Sequence, residues 1–148
     1  MSSYNRKDLY YQKAKKEGYP SRSAYKLIEM NRQFGILKKG VKIVDLGSAP
    51  GGWLKVTEEK VGVGFPRPIV IGIDLLPLHY TPKASVIFIQ GDFLEEANRQ
   101  KIIGQLGGKA DWVLSDLSPN ISGIKFLDSD SSTELCDAAL RFSRQVLN

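Results

Sequence analysis

Nine residues, DLGSAPGGW from Asp45 to Trp53, have the composition of a turn that brings its backbone close to a ligand. Gly47 permits a tight turn, Pro50 stiffens the loop, and Gly51 and Gly52 leave it uncovered by side chains. Three acids stand at related places further along: Asp74 and Asp116 end apolar runs, and Asp92 lies just past another. Ligands of open α/β sheets bind beyond the carboxyl ends of the strands, so acids there are placed for recognition. A dinucleotide fingerprint requires G-x-G-x-x-G, and Ala49 stands where its second glycine belongs, which counts against a nicotinamide-type pyrophosphate. Asp74 suits the hydroxyls of a ribose. Asp92 either receives an adenine amino group or caps the helix that starts near Phe93. Together they suit a nucleoside cofactor lacking a pyrophosphate, with S-adenosylmethionine as the leading candidate.

The elements that must carry these residues follow from hydrophobic patterning. Strands are predicted at about 41–46 (VKIVDL), 69–74 (IVIGID), 85–90 (SVIFIQ) and 111–116 (DWVLSD). Helices are expected between them from Gly52 to Val61 and near 93–106, with a final helix capped by Ser131 or Ser132 and running to Val146. Ahead of the first strand, residues 1–16 suit a short basic helix ended by Gly18 and Pro20. Ser21 or Ser23 then caps a second helix over 22–33, where Ala24, Leu27, Ile28 and Asn31 recur at helical spacing. Apolar strands alternating with helices indicate an α/β fold with a mostly parallel, doubly wound sheet and helices on both faces.

Charge divides the chain of 148 residues. Residues 1–42 hold 11 basic and 3 acidic side chains, whereas the whole chain has a net charge of only +5. A concentrated basic segment is the footprint of a phosphate backbone or another acidic partner. One cysteine excludes an intramolecular disulfide framework and a cysteine-rich zinc site. No apolar stretch approaches the roughly 20 residues of a membrane-spanning helix, and Asp8 and Glu17 count against a mitochondrial presequence. Neither membrane nor metal enters the expectation.

Four segments in order, YYQKAKKEGYPSRSAYKL, VDLGSAPGGW, GIDLLP with IQGDF, and LSDLSPNISG, resemble the FtsJ-type (RrmJ) ribosomal RNA 2'-O-methyltransferase family over essentially the whole chain. The resemblance implies a Rossmann-like methyltransferase fold and S-adenosylmethionine as cofactor, bound by Gly51, Trp53, Asp74, Asp92 and Asp116. Of the family's Lys-Asp-Lys-Glu catalytic set it assigns Lys26 and Asp116. It implies a basic region at 1–40 for RNA binding and catalysis, and a Rossmann-like core at 41–148. The second lysine and the glutamate have no counterpart, so the domain is expected to be C-terminally incomplete and this segment to have little activity. Ribosomal RNA or a ribosomal subunit is the implied partner, with the chain acting as a monomer in the cytoplasm, or in a nucleolus or mitochondrion of a eukaryote.

Several residues carry plainer expectations. Arg6, Lys7, Lys13, Lys15, Lys16 and Arg22 are the candidates for RNA backbone contacts, and Arg22 and Lys26 share a helix face. Trp53 either borders the cofactor pocket or is ordinary core. Trp112 and Cys136 are expected in the interior, His79 in solvent and Lys125 in a polar loop. Glu134 is expected in the first turn of the final helix. Asn120 either shapes an acceptor pocket or satisfies a turn. The alternatives are a transfer-RNA 2'-O-methyltransferase, a non-catalytic RNA-binding protein of the same fold, an amino-directed methyltransferase, disfavoured by DLSPN lacking the stacking aromatic, and a nicotinamide-dependent oxidoreductase.

Overall fold

A computed structural model describes residues 3–62, 67–117 and 125–148, with side chains described from residue 9 and, in the last segment, from residue 133. Two helices, α1 (Ser3–Glu17) and α2 (Ala24–Phe34), precede an alternating α/β array. That array runs β1 (Lys42–Leu46), α3 (Gly52–Val61), β2 (Ile69–Asp74), β3 (Val86–Gln90), α4 (Glu96–Leu106), β4 (Trp112–Ser115) and α5 (Lys125–Val146). The strands form one parallel sheet in the order β3-β2-β1-β4. Val44 is the register partner of Ile71 and of Val113, which places β1 inside the sheet.

Alternation along the strands splits the core into two layers. Ile43, Val70, Val86 and Leu114 join Ala24, Leu27, Trp53, Leu54 and Val56 beneath α2 and α3. Val44, Leu46, Ile71 and Ile73 join Ile102, Leu106, Ala139, Phe142 and Val146 beneath α4 and α5. Helices therefore cover both faces, the Rossmann-like arrangement expected of the pattern. α2 stops where Gly35 turns left-handed at φ 61°, and its N–H donates to the Asn31 carbonyl at 2.8 Å.

Four expectations change. α5 begins at Lys125, six residues before the expected serine cap, so Lys125 opens a helix and Glu134 lies well past its first turn. Residues 125–130, KFLDSD, contain no glycine or proline, and Ser and Asp oppose a helix interior by only about 0.5 kcal/mol each. Trp112 is 39% exposed: β4 pairs with β1 on one side, and on the other the described chain pairs only ahead of the strand, Leu147 with Ala110. Cys136 lies on the exposed side of α5 while Ala139, Phe142 and Val146 take the buried stripe. α4 starts at Glu96 rather than near Phe93, because a turn organised by Asp92 occupies the intervening residues. No described helix is long and apolar enough to cross a membrane.

Candidate active site

The carboxyl ends of the strands open into a cleft of about 600 Å³. Gly47 and Ala49 of the turn after β1 line it, with Asp74, Leu75 and Leu76 after β2, and Gly91, Asp92, Phe93 and Leu94 after β3. Asp116 and Leu117 after β4, and Glu134 and Leu135 of α5, complete the wall. Four carboxylates, those of Asp74, Asp92, Asp116 and Glu134, thus border a space otherwise bounded by backbone and apolar side chains, which suits a ligand with polar edges and a flat apolar body.

Backbone hydrogen bonds hold this end of the sheet. The Gly47 and Ser48 N–H groups both donate to the Ile73 carbonyl, at 2.9 and 3.1 Å, and the Asp116 N–H donates to Leu46 at 3.0 Å. Asp74 accepts the Ala49 N–H on Oδ2 and the Leu76 N–H on Oδ1, both at 2.9 Å. One carboxylate therefore ties the glycine turn to the β2–β3 loop. Gly47 has φ +79°, and a Cβ there would sit 3.0 Å from the Asp116 carbonyl oxygen and the Leu117 backbone. Only glycine allows that crossing of the two loops. Asp92 accepts the Leu94 N–H on Oδ1 at 2.9 Å, and its carbonyl accepts the Asn98 side chain at 2.8 Å. It organises the turn before α4 and lines the cleft, while the N-cap of α4 falls to Glu95 rather than to Asp92.

Pro50, Gly51, Gly52 and Trp53 do not line the cleft. The Ala49–Pro50 peptide bond is cis. The bare faces of the two glycines, which the sequence leaves open to a ligand, are covered by the chain itself. Tyr80 lies over Gly51, where a Cβ would come within 2.6 Å of its ring, and the hydroxyls of Ser21 and Ser23 lie against Gly52. The β2–β3 loop straps the turn down: the His79 N–H donates to Pro50 at 2.9 Å, while Tyr80 Oη and the Lys83 N–H donate to the buried Glu58. Burial and the Glu58 carboxylate both push the Tyr80 hydroxyl pKa upward. His79 itself is exposed, as expected.

Trp53 is buried and donates its indole N–H to the Ser23 carbonyl at 2.9 Å, which fastens the entry of α2 to the start of α3. Ser23 takes the N-cap position of α2 without a capping bond, and its hydroxyl instead meets that of Ser21 at 2.6 Å. Lys26 follows one turn later on the exposed side of α2, outside the cleft lining, and among the described residues it has no ion pair. Lys13, Lys15, Lys16 and Arg22 are all exposed. Arg6 and Lys7 belong to α1, with side chains outside the described residues, as is Asn120 altogether.

Sequence reading missed the aromatic cluster that seats α1. Tyr25 has the rings of Tyr10 and Tyr19 each 5.8 Å away and the Lys13 ammonium 4.8 Å above it. Its hydroxyl donates to Glu17 at 2.7 Å, and that of Tyr19 to Glu59 at 3.0 Å. Desolvation, then the Glu59 bond, raises the Tyr19 pKa to about 12. The cue was present as tyrosines at 10, 19 and 25 around the Gly18–Pro20 break. Asp45 was also passed over as a mere first residue of the turn motif. It is 1% exposed, neither oxygen has a hydrogen-bond partner, and burial, then the Asp116 and Asp74 charges, push its pKa well above the usual carboxylate range.

The FtsJ-like methyltransferase family matches residues 19–148. The chain belongs to that family. It is similar to proteins named ribosomal RNA large subunit methyltransferase E: 46% identical over 97% of the chain and 53% of the protein from Methanothrix thermoacetophila, and 46% over 95% of the chain and 57% of that from Bartonella quintana. Against these curated relatives the FtsJ-like chain spans little more than half their length. Among solved structures, a ribosomal RNA methyltransferase from Plasmodium falciparum superposes with a TM-score of 0.72 at 34% identity, covering 88% of this chain and 73% of that one. The MycE methyltransferase of mycinamycin biosynthesis, 18% identical with a TM-score of 0.55 over 85% of this chain and 30% of that one, shares the fold.

Proposed function

We propose that this FtsJ-like chain contributes the cofactor site and RNA-facing arm of an enzyme that transfers a methyl group from S-adenosylmethionine to a ribose 2'-hydroxyl of RNA. One observation carries the reading: the family match across residues 19–148 coincides with an acid-lined cleft at the carboxyl ends of the strands. The names of the relatives support ribosomal RNA over transfer RNA as acceptor. The cleft fits the cofactor chemically. Its four carboxylates suit a ligand bearing hydroxyls, an amino edge and net positive charge.

The cofactor supplies a methyl group on a positively charged sulfonium. Asp74 would accept from ribose hydroxyls while its bonds from the Ala49 and Leu76 N–H groups hold the carboxylate still. Asp92 would take the amino edge of the base, beside the apolar Leu75, Phe93 and Leu94 of the same wall. Gly47 brings the turn backbone within reach. Asp116 lines the cleft while Lys26 stands outside it on α2; with the acceptor bound, Asp116 would orient the Lys26 ammonium, which would steer the acceptor hydroxyl and offset negative charge growing on its oxygen. Lys13, Lys15, Lys16 and Arg22, with Arg6 and Lys7, bind phosphates and set the salt dependence of RNA binding. In this division residues 1–40 serve RNA and residues 41–148 serve the cofactor. One chain carries the whole acid cleft, which supports action as a monomer, in the compartment where ribosomal RNA is exposed, the cytoplasm in a prokaryote.

The test is methyl transfer by the native gene product, with tritiated S-adenosylmethionine offered ribosomal RNA and transfer RNA in parallel. Label is expected in ribosomal RNA, in alkali-resistant dinucleotides that mark a blocked 2'-hydroxyl, and Lys26→Ala is expected to remove it. Label on bases, or tight NAD(H) binding without S-adenosylmethionine binding, overturns the reading.

A further inference from the structure

A glycine-rich turn is the least constrained kind of backbone, because glycine loses more conformational freedom on ordering than any other residue. Gly47 and Gly51 both stand at left-handed φ, +79° and +118°, and Gly51 leads into α3 without a side-chain cap bond. The order of the turn therefore comes from outside it. Asp74 holds its first half through the Ala49 N–H at 2.9 Å. The second half, Pro50 to Gly52, lies outside the cleft lining, and the β2–β3 loop lies against it.

Tyr80 is the centre of that hold. Its Cε1 and Cδ1 lie 2.6 and 2.8 Å from where a Cβ on Gly51 would be, with Leu78 beside them at 3.5 Å, so the ring occupies the bare face of the glycine. Both Leu78 and Tyr80 pack against the core layer under α2 and α3. The Tyr80 hydroxyl donates to Glu58 Oε2 at 3.3 Å, and the Lys83 N–H donates to the same oxygen at 3.0 Å, which ties the ring and the far end of the loop to α3. Between Leu78 and Tyr80, the His79 N–H donates to the Pro50 carbonyl at 2.9 Å. The near end of the same loop, Leu75 and Leu76, is cleft wall, and the Leu76 N–H shares the Asp74 carboxylate with Ala49. The loop is thus part of the site at one end and a clamp on the turn at the other.

We propose that Tyr80 is a positioning residue for the cofactor: its ring pre-orders the Pro50–Gly52 half of the turn and so sets the affinity for S-adenosylmethionine without touching it. The inference rests on the cofactor assignment made above. A ligand that meets a mobile loop loses part of its binding free energy in ordering it, and a loop already fixed removes that loss. Ala49 lines the cleft one residue before the clamped segment, so freedom at Pro50 and Gly51 passes to the ligand site through a single peptide bond. The ring contributes most, because it fills the face of Gly51. The hydroxyl contributes less, since Glu58 keeps the Lys83 N–H without it. Tyr80 is not part of the cleft lining, so it governs binding and not the chemical step.

The test is made on the native gene product, by calorimetry with S-adenosylmethionine and by initial rates with the cofactor and ribosomal RNA varied in turn. Tyr80→Ala is expected to raise the cofactor Kd and KM about tenfold, with kcat and the RNA KM held within about twofold. Tyr80→Phe keeps the ring over Gly51 and is expected to bring the cofactor Kd back to within about threefold of the unmodified protein. Calorimetry reads the cofactor alone, so that result stands whichever RNA is the acceptor. In the unmodified, cofactor-free protein the Gly51 and Gly52 amides are expected to show order parameters of about 0.85, those of rigid backbone, which needs no variant to fold. Mobile glycines in that measurement, a rise shared equally by the RNA KM, or a lower melting temperature in Tyr80→Ala with the cofactor Kd unchanged overturns the inference and leaves the cofactor assignment standing. Failure of the unmodified protein to bind S-adenosylmethionine overturns both.

Discussion

The cleft and the N-terminal arm are held by different kinds of force. Around the cleft, main-chain groups do the holding: Gly47, Ser48, Ala49 and Leu76 donate to Ile73 and Asp74, and Asp116 donates to Leu46. The arm rests on side chains: the Trp53 indole on Ser23, the tyrosine cluster around Tyr25, and the buried Ala14 among the described side chains of α1. Main-chain donors hold the Asp74 carboxylate in one rotamer and the strand ends in place, as a site for one small ligand demands. Side-chain docking allows the arm to open at modest cost, which suits a surface that must admit a large acceptor.

The contrast can be broken from the cleft side first. Gly47→Val adds a Cβ at a left-handed φ against the Asp116 and Leu117 backbone, so a loss of about 3 kcal/mol or more is expected in urea unfolding, along with cofactor binding. Trp53→Phe removes the indole N–H and part of a buried ring system, so stability should fall by about 2 kcal/mol. In that variant RNA affinity should drop while cofactor affinity, read by calorimetry, holds; an equal loss of both would mean that arm and cleft are one unit.

A third effect is set by pH. The unfolded chain ionises Asp45 near the ordinary carboxylate value, whereas the folded chain keeps it protonated, so the folded state binds more protons above that value. The contribution of Asp45 to stability therefore falls as pH rises from about 4 toward neutrality. Asp45→Asn should flatten that part of a melting-temperature profile, and a profile unchanged by the substitution would mean that the carboxyl is solvated. The smallest stability effect belongs to the arm's surface. Replacing Lys13, Lys15 and Lys16 together by Ala should leave the melting temperature nearly unchanged, yet reduce the salt slope of RNA binding by about 2 to 3.

The same division governs what the sequence disclosed. Strands with β-branched interiors, the glycine turn and the acids at strand ends were legible because they follow from local pattern and chain order. Glu134 was misjudged because an Asp/Ser-rich segment reads as a loop, although nothing in KFLDSD breaks a helix. Trp112 and Cys136 were assigned to the interior because burial depends on what lies beside a strand edge or a helix face, which periodicity does not record. The isolation of Asp45 arises from Gly72, Ser48 and Leu114, which are brought together only by the sheet register. The cover over Gly51 comes from Tyr80, a residue with no local signal pointing at the turn.

Asp74 holds two loops with the same two oxygens that face the cleft. Architecture and recognition therefore occupy one side chain, and evolution has no gradual path that exchanges one while keeping the other. Asparagine at this position would present an N–H to a backbone N–H on one side, and glutamate would carry the oxygens too far to span both loops. A lineage drifting at position 74 would lose the shape of its turn before it had tried a new ligand, so new specificities in this cleft have to arise from the apolar wall around it.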